Sequence, residues 1–235
     1  ELPQRRRQHL MPAIFIASLV ALFYIYVGYP AAVFALSRLL GRAVNKGPNE
    51  PHVTVIISAY NEERHIGRTI ANKLGLDYPK DKLEIIVVSD ASEDATDEIV
   101  KSFGDRVRLI RQEPRQGKTA ALNLAVPLAR GEILVFSDAN SIYAPEALRR
   151  LVENFADPEV GYVTGKMVYA TNEGSLVGDG CTTYMKYENL LREWETLAGS
   201  IVGVDGGIDA VRKELYRPMR PDQLPDFVLP LAVVE

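Results

Sequence analysis

The chain has 235 residues, 47% of them hydrophobic and 25% charged, with a net charge of −4. This suits one globular domain with residues to spare and excludes a disordered chain. The acidic balance also argues against a general nucleic-acid binder, so no nucleic acid is expected as a partner. Cys181, the only cysteine, rules out an internal disulfide and a cysteine-based zinc site. His9, His52 and His65 show no metal-ligand spacing.

Ala13 to Ser37 is 25 residues without a charge. As a helix it would be about 37 Å long, enough to cross a hydrocarbon core of ~30 Å when tilted. It is too long for a signal-peptide core and lacks the polar face of a soluble core helix. Gly28-Tyr29-Pro30 is expected to kink it. Arg5, Arg6 and Arg7 precede the segment, and Arg38, Arg42 and Lys46 follow it. The flanking charges balance, so the positive-inside rule does not set its orientation.

Asn45 to Pro51 reads as a linker. Strands and helices then alternate. Strands are predicted over Val53–Ala59, Leu83–Ser89, Val107–Arg111, Glu132–Ser137 and Val160–Thr164. Helices are predicted over Glu62–Leu74 with Asn61 as N-cap, Asp94–Phe103, Lys118–Ala129, and from Pro145 to about Phe155. This order implies an α/β fold with a parallel, doubly wound sheet. Residues 171–180 read as turns. Thr182–Leu197 reads as a helix with Tyr184, Tyr187, Leu191 and Trp194 on one stripe, for which core packing is favoured over a sugar platform. Gly199–Gly207 is glycine-rich, and a last helix is expected near Phe227. The chain reads as a fragment of something longer, since its apolar pattern is still running at Glu235.

Three strands end in polar residues: Ser58-Ala59-Tyr60-Asn61-Glu62, Ser89-Asp90 and Ser137-Asp138-Ala139-Asn140. In a parallel sheet these ends share one edge, where open α/β sheets put their chemistry. Glu62, Asp90 and Asp138 are therefore expected to cluster and to need a cation or hydrogen-bond donors. A helix cap would account for Asn61 or Asp94. It accounts poorly for Asp138, because the next helix signal, Pro145, comes several residues later. Gln112-to-Thr119 resembles a phosphate-binding loop only at its end, because Gln112 stands where the first glycine is needed. Asp90-to-Lys101 has calcium-loop oxygen spacing but lacks the glycine and the final glutamate. Gly117-Lys118 keeps its value as a cation and free amides at a helix start.

The stretches "VTVIISAYNEERHIGRTI", "EIIVVSDASEDATDEI", "RQGKTAALN", "GEILVFSDAN" and "LPDFVLPL" resemble family 2 glycosyltransferases of the GT-A fold, particularly membrane-bound processive or lipid-linked types. "YVGYP" is similar to the membrane helix that precedes many such domains. The organisation expected is a basic flank over 1–12, a transmembrane helix over 13–40, a linker over 41–52 and a GT-A domain over 53–235 that is cut short. The resemblance also leads one to expect a Gln-x-x-Arg-Trp element and further membrane helices downstream.

The resemblance implies a nucleotide-sugar donor, usually a UDP-sugar, with Mg²⁺ or Mn²⁺. The acceptor would be a saccharide or lipid-linked, and the transfer hexosyl or N-acetylhexosaminyl. Ala59, Tyr60 and Glu62 would line the nucleoside pocket. Asp90 would hydrogen-bond the base, and Lys118 would lie near the phosphates. Asp138 would hold the metal. Asn140 replaces the family's second acid and offers only an uncharged carbonyl oxygen. Asp226 would be the base that takes the acceptor hydroxyl's proton during a one-step inverting transfer. Pro225 stands where the family has a preceding acid, and an N-cap of the last helix is the plainer role for Asp226. Gly206 and Gly207 resemble the acceptor-side loop. The lipid bilayer is an expected partner, in a plasma or inner membrane, and the catalytic domain should face the cytoplasm, where nucleotide sugars are made. Two other readings are a nucleotidyltransferase and a nucleotide-sugar-binding membrane protein with weakened catalysis.

Overall fold

The computed structural model describes residues 4–166, 176–200, 203–204 and 206–234, with side chains described from Met11 onward and, in the helix that starts at residue 176, from Tyr184. In chain order the elements are α1 (Gln4–Phe23), α2 (Tyr29–Leu39), β1 (Val53–Ala59), α3 (Ile66–Leu74), β2 (Leu83–Asp90), α4 (Thr96–Lys101), β3 (Arg108–Gln112), α5 (Lys118–Ala125), β4 (Ile133–Asp138), α6 (Ala147–Val152), β5 (Tyr162–Thr164), α7 (Leu176–Ala198), β6 (Ile208–Arg212) and α8 (Pro225–Val234). They form two compact units. One comprises residues 1–43 with 183–201, the other 44–182 with 202–234.

The larger unit is built on a six-stranded sheet of order β3-β2-β1-β4-β6-β5. Strands β1, β2 and β4 carry apolar runs of Val, Ile and Leu, buried on both faces as a parallel sheet under helices requires, whereas the edge strand β3, Arg-Leu-Ile-Arg-Gln, is mostly exposed or half-buried. Alternate residues divide them between two cores. Val55, Ile57, Ile85 and Val87 pack with Ile66 and Ile70 of α3 and Leu148 of α6. Ile56, Ile86, Leu134 and Phe136 pack with Leu122 and Ala125 of α5 and Leu229 of α8. Beyond β4 the sheet changes sense. β6 pairs antiparallel with β4, Ser137 opposite Ile208, and with β5, Thr164 opposite Asp209. The sheet is thus mixed and mostly parallel, where the strand–helix alternation implied a parallel one. β6 was not foreseen, because Ile-Asp-Ala-Val-Arg carries a buried aspartate and an arginine rather than an apolar run.

Several boundaries move for local reasons. α3 begins at Ile66, not Glu62: Asn61 adopts a left-handed conformation (φ 53°), and its side chain accepts from the Glu93 amide instead of capping a helix. α4 is shorter than predicted, but Asp94 does receive the Thr96 amide at its start. A 3-10 turn follows α5 from Val126 to Leu128, where Pro127 ends the α-helical pattern. β3 lies one residue later than predicted, β5 starts at Tyr162, and α6 starts at Ala147 after a turn containing Pro145. α8 starts at Pro225.

In the smaller unit one helical rod runs from Gln4 to Leu39, with a π-helical turn at Tyr24–Gly28. The Tyr29 N–H bonds to Tyr24 O, five residues back. Pro30 supplies no N–H, and its ring would clash with the carbonyl four residues earlier, so the preceding turn widens. α7 begins at Leu176, so residues 176–180 are helical rather than turn-like; 171–175 lie outside the described residues. Tyr29 Oη donates to Glu195 Oε1 at 2.6 Å, Phe34 meets the Trp194 ring edge-on at 5.0 Å, and the Arg42 N–H bonds to Leu197 O. Tyr184 and Tyr187 do not pack into a core: they are 59% and 38% exposed.

Candidate active site at the C-terminal edge of the sheet

Parallel pairing aligns the ends of β1, β2 and β4, with Ala59 opposite Ser89 and Ser58 opposite Asp138. Glu62, Asp90 and Asp138 nevertheless do not converge. Among the described residues no three acidic, histidine or cysteine side chains are placed to hold a metal ion. The strand order explains it: β1 lies between β2 and β4, which sets Asp90 and Asp138 about 10 Å apart at ~4.8 Å per strand. Each acid has its own partners instead.

Asp90, buried at the end of β2, organises the loop before α5. Its Oδ1 accepts from Gln112 Nε2 (2.6 Å) and the Gln116 amide (2.8 Å), and its Oδ2 accepts from the Gly117 amide (2.8 Å). Hydrogen bonds to a carboxylate are among the stronger kind and fix this loop tightly. Gly117 turns the chain into α5 with φ 89°, a conformation that favours glycine. The Gly117 amide is therefore committed to Asp90 rather than free for a phosphate. From the same loop the Arg115 guanidinium stacks over Tyr60, 3.6 Å from the ring centroid, with Nε 3.8 Å from Asp90. Ala59 is buried beneath, and Glu62 is held through its amide, which donates to Thr96 Oγ1 at 2.8 Å. Tyr60 and Arg115 thus form a flat, part-exposed platform beside the buried Asp90 carboxylate, a shape that suits a planar base.

Lys118 opens α5 and joins two acids from distant parts of the chain. Its Nζ lies 2.9 Å from Asp138 Oδ1 and 3.4 Å from both oxygens of Asp226. Burial pulls the Lys118 pKa down and the two carboxylates pull it up; the carboxylates win, and the lysine is held charged. Asp138 and Asp226 are 41% and 39% exposed, so these part-solvated pairs contribute at most about 1 kcal/mol each to stability and can open for a ligand. Asp226 lies in the first turn of α8 with its carboxylate toward Lys118, which is not the posture of an N-cap.

Gly206 (φ 70°) approaches the same carboxylate so closely that a Cβ there would stand 2.4 Å from Asp226 Oδ2. Only glycine fits. The Gly207 carbonyl accepts from the buried Tyr143 hydroxyl, which ties this turn to the floor of the site. The segment leading to Asp226 is pinned on α5. Asn123 donates to Met219 O at 2.6 Å and accepts from the Met219 amide and Tyr216 Oη, while Thr119 Oγ1 donates to Gln223 O at 2.7 Å.

Asp138 starts a tight turn in which the Ser141 amide bonds to Asp138 O, leaving Asn140 exposed at the tip. One face of α3 supports this turn. Thr69 Oγ1 donates to Ala139 O, Asn72 makes two hydrogen bonds to the Tyr143 backbone, and Lys73 Nζ donates to Ser141 O at 2.6 Å. Lys73 is wholly buried against the Tyr143 ring, and burial lowers its pKa to about 7. The sequence reading missed Lys73, Arg115 and Asn123. For Lys73 a signal existed: it lies seven residues after Ile66 and three after Ile70, on the apolar face of α3.

The donor set fits a hard divalent ion of the Mg²⁺ or Mn²⁺ kind only in part. Such ions are often bound by one or two carboxylates, with substrate phosphates and water completing the shell. Asp138 is an accessible carboxylate already facing a cation, the Lys118 ammonium, and Asn140 offers a carbonyl oxygen on the same turn. A nucleoside diphosphate would supply the remaining oxygens.

A model of the family described as glycosyl transferase family 2 matches residues 54–217. The chain is 30% identical over 181 residues to a probable glycosyltransferase YdaM of Bacillus subtilis, covering 72% of this chain and 42% of that protein. It is 31% identical over 190 residues to a poly-beta-1,6-N-acetyl-D-glucosamine synthase of Staphylococcus aureus, covering 77% and 45%. It is 28% identical over 169 residues to a beta-monoglucosyldiacylglycerol synthase of Trichormus variabilis, covering 70% and 36%. It therefore spans less than half the length of these relatives. Among solved structures, the mannosyltransferase PcManGT from Pyrobaculum calidifontis, in complex with GDP-Man and Mn²⁺, superposes with a TM-score of 0.72 at 30% identity, over 88% of this chain and 59% of that one.

Proposed function

The chain belongs to glycosyl transferase family 2 and has the GT-A fold, and from that premise we propose that its larger unit transfers a hexosyl or N-acetylhexosaminyl group from a nucleotide-sugar, of the UDP-sugar class, to a saccharide or lipid-linked acceptor with inversion. One observation carries this reading: Lys118 gathers Asp138 and Asp226 at one point, directly against Gly206. A base and a diphosphate-binding acid must stand on either side of the reacting carbon, and two carboxylates on either side of a single ammonium support that reading.

In this reading the donor's base lies on the Tyr60–Arg115 platform above Ala59, and its edge hydrogen-bonds to Asp90. Glu62 flanks the nucleoside. Asp138, helped by the Asn140 carbonyl, would hold Mg²⁺ or Mn²⁺, which when bound neutralises charge on the diphosphate. Lys118 then turns its ammonium to the phosphates. Asp226, released from Lys118, takes the proton of the acceptor hydroxyl as that oxygen bonds to the anomeric carbon and the bond to the diphosphate oxygen breaks. Attack from the face opposite the leaving group inverts the anomeric centre. Gly206 and Gly207 leave room on the acceptor side. The GDP-Man and Mn²⁺ complex of the similar mannosyltransferase supports a nucleotide-sugar donor and a divalent ion. It also requires that a donor screen include both bases.

The test is a UDP- and GDP-sugar screen on the full-length protein in membranes, with the released nucleotide identified. Release of UDP or GDP, lost in both Asp138→Ala and Asp226→Asn, is the expected result. Full activity in either variant removes that residue from the mechanism, and release of pyrophosphate from a nucleoside triphosphate would make the protein a nucleotidyltransferase. We also place α1 across the plasma or inner membrane, with the larger unit in the cytoplasm. Thiol labelling of Gln8→Cys and Lys46→Cys in a Cys181→Ser background should find only position 46 accessible from the cytoplasmic side.

A further inference from the structure

The apolar rod is longer than a membrane. Met11–Leu39 is 29 residues, about 43 Å at ~1.5 Å per residue, against a hydrocarbon core of ~30 Å. About nine residues must lie outside the hydrocarbon or be taken up by tilt. Three observations locate the surplus at the α2 end. Met11 to Phe23 are exposed on every side of the helix, whereas from Pro30 a buried stripe appears, Pro30, Val33 and Ser37. Tyr29 is hydrogen-bonded to Glu195, a carboxylate only 7% exposed, and carboxylates are costly at hydrocarbon depth. Phe23, Tyr24, Tyr26 and Tyr29 cluster just before that point, as aromatic side chains do at a membrane–water interface.

α7 runs beside this end in an inverted arrangement. Its buried side chains include Glu195 and Met185, with Arg192 only 14% exposed. Its exposed ones include Tyr184, Tyr187, Leu190 and Leu197, which fall within one arc of about 140° at 100° per residue. A helix that buries a carboxylate and presents Tyr and Leu outward along one arc is suited to a lipid-rich surrounding rather than to water. Lys186 and Glu193, both exposed, flank that arc, which suits the headgroup layer and not the bilayer centre.

We propose that α2 and residues 184–198 of α7 form a juxtamembrane pair lying in the lipid headgroup layer, with Tyr184, Tyr187, Leu190 and Leu197 in contact with the bilayer and the hydrocarbon span ending at Tyr29–Pro30. This rests on the reading that α1 crosses the membrane. Trp194, the only tryptophan, lies on α7 and reports its depth directly.

The full chain is reconstituted in phosphatidylcholine vesicles carrying lipids brominated either near the headgroup or near the bilayer centre. Trp194 fluorescence should fall several-fold more with the shallow bromines than with the deep ones. In a Trp194→Phe background, Ile16→Trp should show the reverse. Tyr187→Ser with Leu190→Ser should weaken the shallow quenching of Trp194. Equal or greater quenching of Trp194 by the deep bromines puts α7 inside the hydrocarbon and overturns the proposal, as does no quenching by either lipid. If instead the tryptophan at position 16 escapes the deep bromines, the crossing reading fails, while shallow quenching of Trp194 still supports the lipid-contact surface.

Discussion

The two compact units differ in what they leave outside. In the α/β unit the wholly buried residues are chiefly aliphatic, Ile56, Ile57, Ile86 and Leu134 among them, and Asp138, Lys118 and Asp226 of the candidate site meet at one edge of the sheet. In the helical unit α7 covers Glu195 and leaves Tyr184, Tyr187 and Leu190 outside. Burial removes from a surrounding whatever that surrounding tolerates least. On the proposal that α7 faces lipid, one chain is folded for two solvents, and a polar residue means something different in each unit.

The sharpest test of that contrast concerns polar groups at the sheet edge, which should serve substrate and not fold. Asp226→Asn should lower sugar transfer by roughly a hundred- to ten-thousand-fold while the unfolding midpoint stays unchanged. An equal loss of stability would make Asp226 a structural residue and blur the distinction. Next comes the interior of the same unit. Ile56→Ala, at a fully buried position between β4 and β2, should cost about 2–5 kcal/mol in denaturant unfolding followed by circular dichroism. A cost below about 1 kcal/mol would mean the sheet is not the stable core described above.

Lys73 stands out inside the α/β unit, a wholly buried lysine held between the Tyr143 ring and the Ser141 carbonyl. Its folded pKa of about 7 lies below the ordinary 10.5. Between those values the unfolded chain binds the extra proton, so stability should rise with pH from about 7 to 10.5 and be level below 7. In Lys73→Met this contribution to the slope should vanish, leaving only that of the other groups. Identical pH profiles for the two proteins would show that Lys73 is not held as its burial implies. The smallest effect belongs to the helical unit. Leu190→Ser should change stability in detergent by no more than about 0.5 kcal/mol, because the side chain is already exposed, yet it should weaken the quenching of Trp194 by shallow bromines. A large loss of stability would place Leu190 in a conventional core and end the two-solvent reading.

What could be read in the sequence follows the same division. β1, β2 and β4 were legible because strands buried on both faces are unbroken apolar runs. Asp90, Lys118, Asp138 and Asp226 could be named because polar residues interrupt those runs at their ends or stand at helix starts. The resemblance to the family added their roles. β6 was not legible, since its buried Asp209 and its Arg212 mimic a loop. Arg212 in fact spends its guanidinium on the carbonyls of Phe155, Asp157 and Val160. Lys73 was passed over because lysine in a helix ordinarily marks the solvent side. Nor could spacing along the chain show that Asp90 and Asp138 would stand apart, because that depends on β1 inserting between their strands. The exposed stripe of α7 has the period of a core helix, and only its exposure in the fold distinguishes the two.

The antiparallel seating of β6 carries one more consequence. The strand is gripped on both sides, by β4 from Ile133 to Ser137 and by β5 from Tyr162 to Thr164. Its position owes nothing to the route by which the chain reaches it. A segment inserted between residue 166 and the start of α7 should therefore cost little, about 0.6 kcal/mol for each doubling of a flexible loop. Residues 59–138, proposed for the donor, precede that segment, while α5 and Gly206 set the place of Asp226 after it. The fold works as a socket: one sheet edge, fixed once, into which different segments can be fitted as separate parts between β5 and β6.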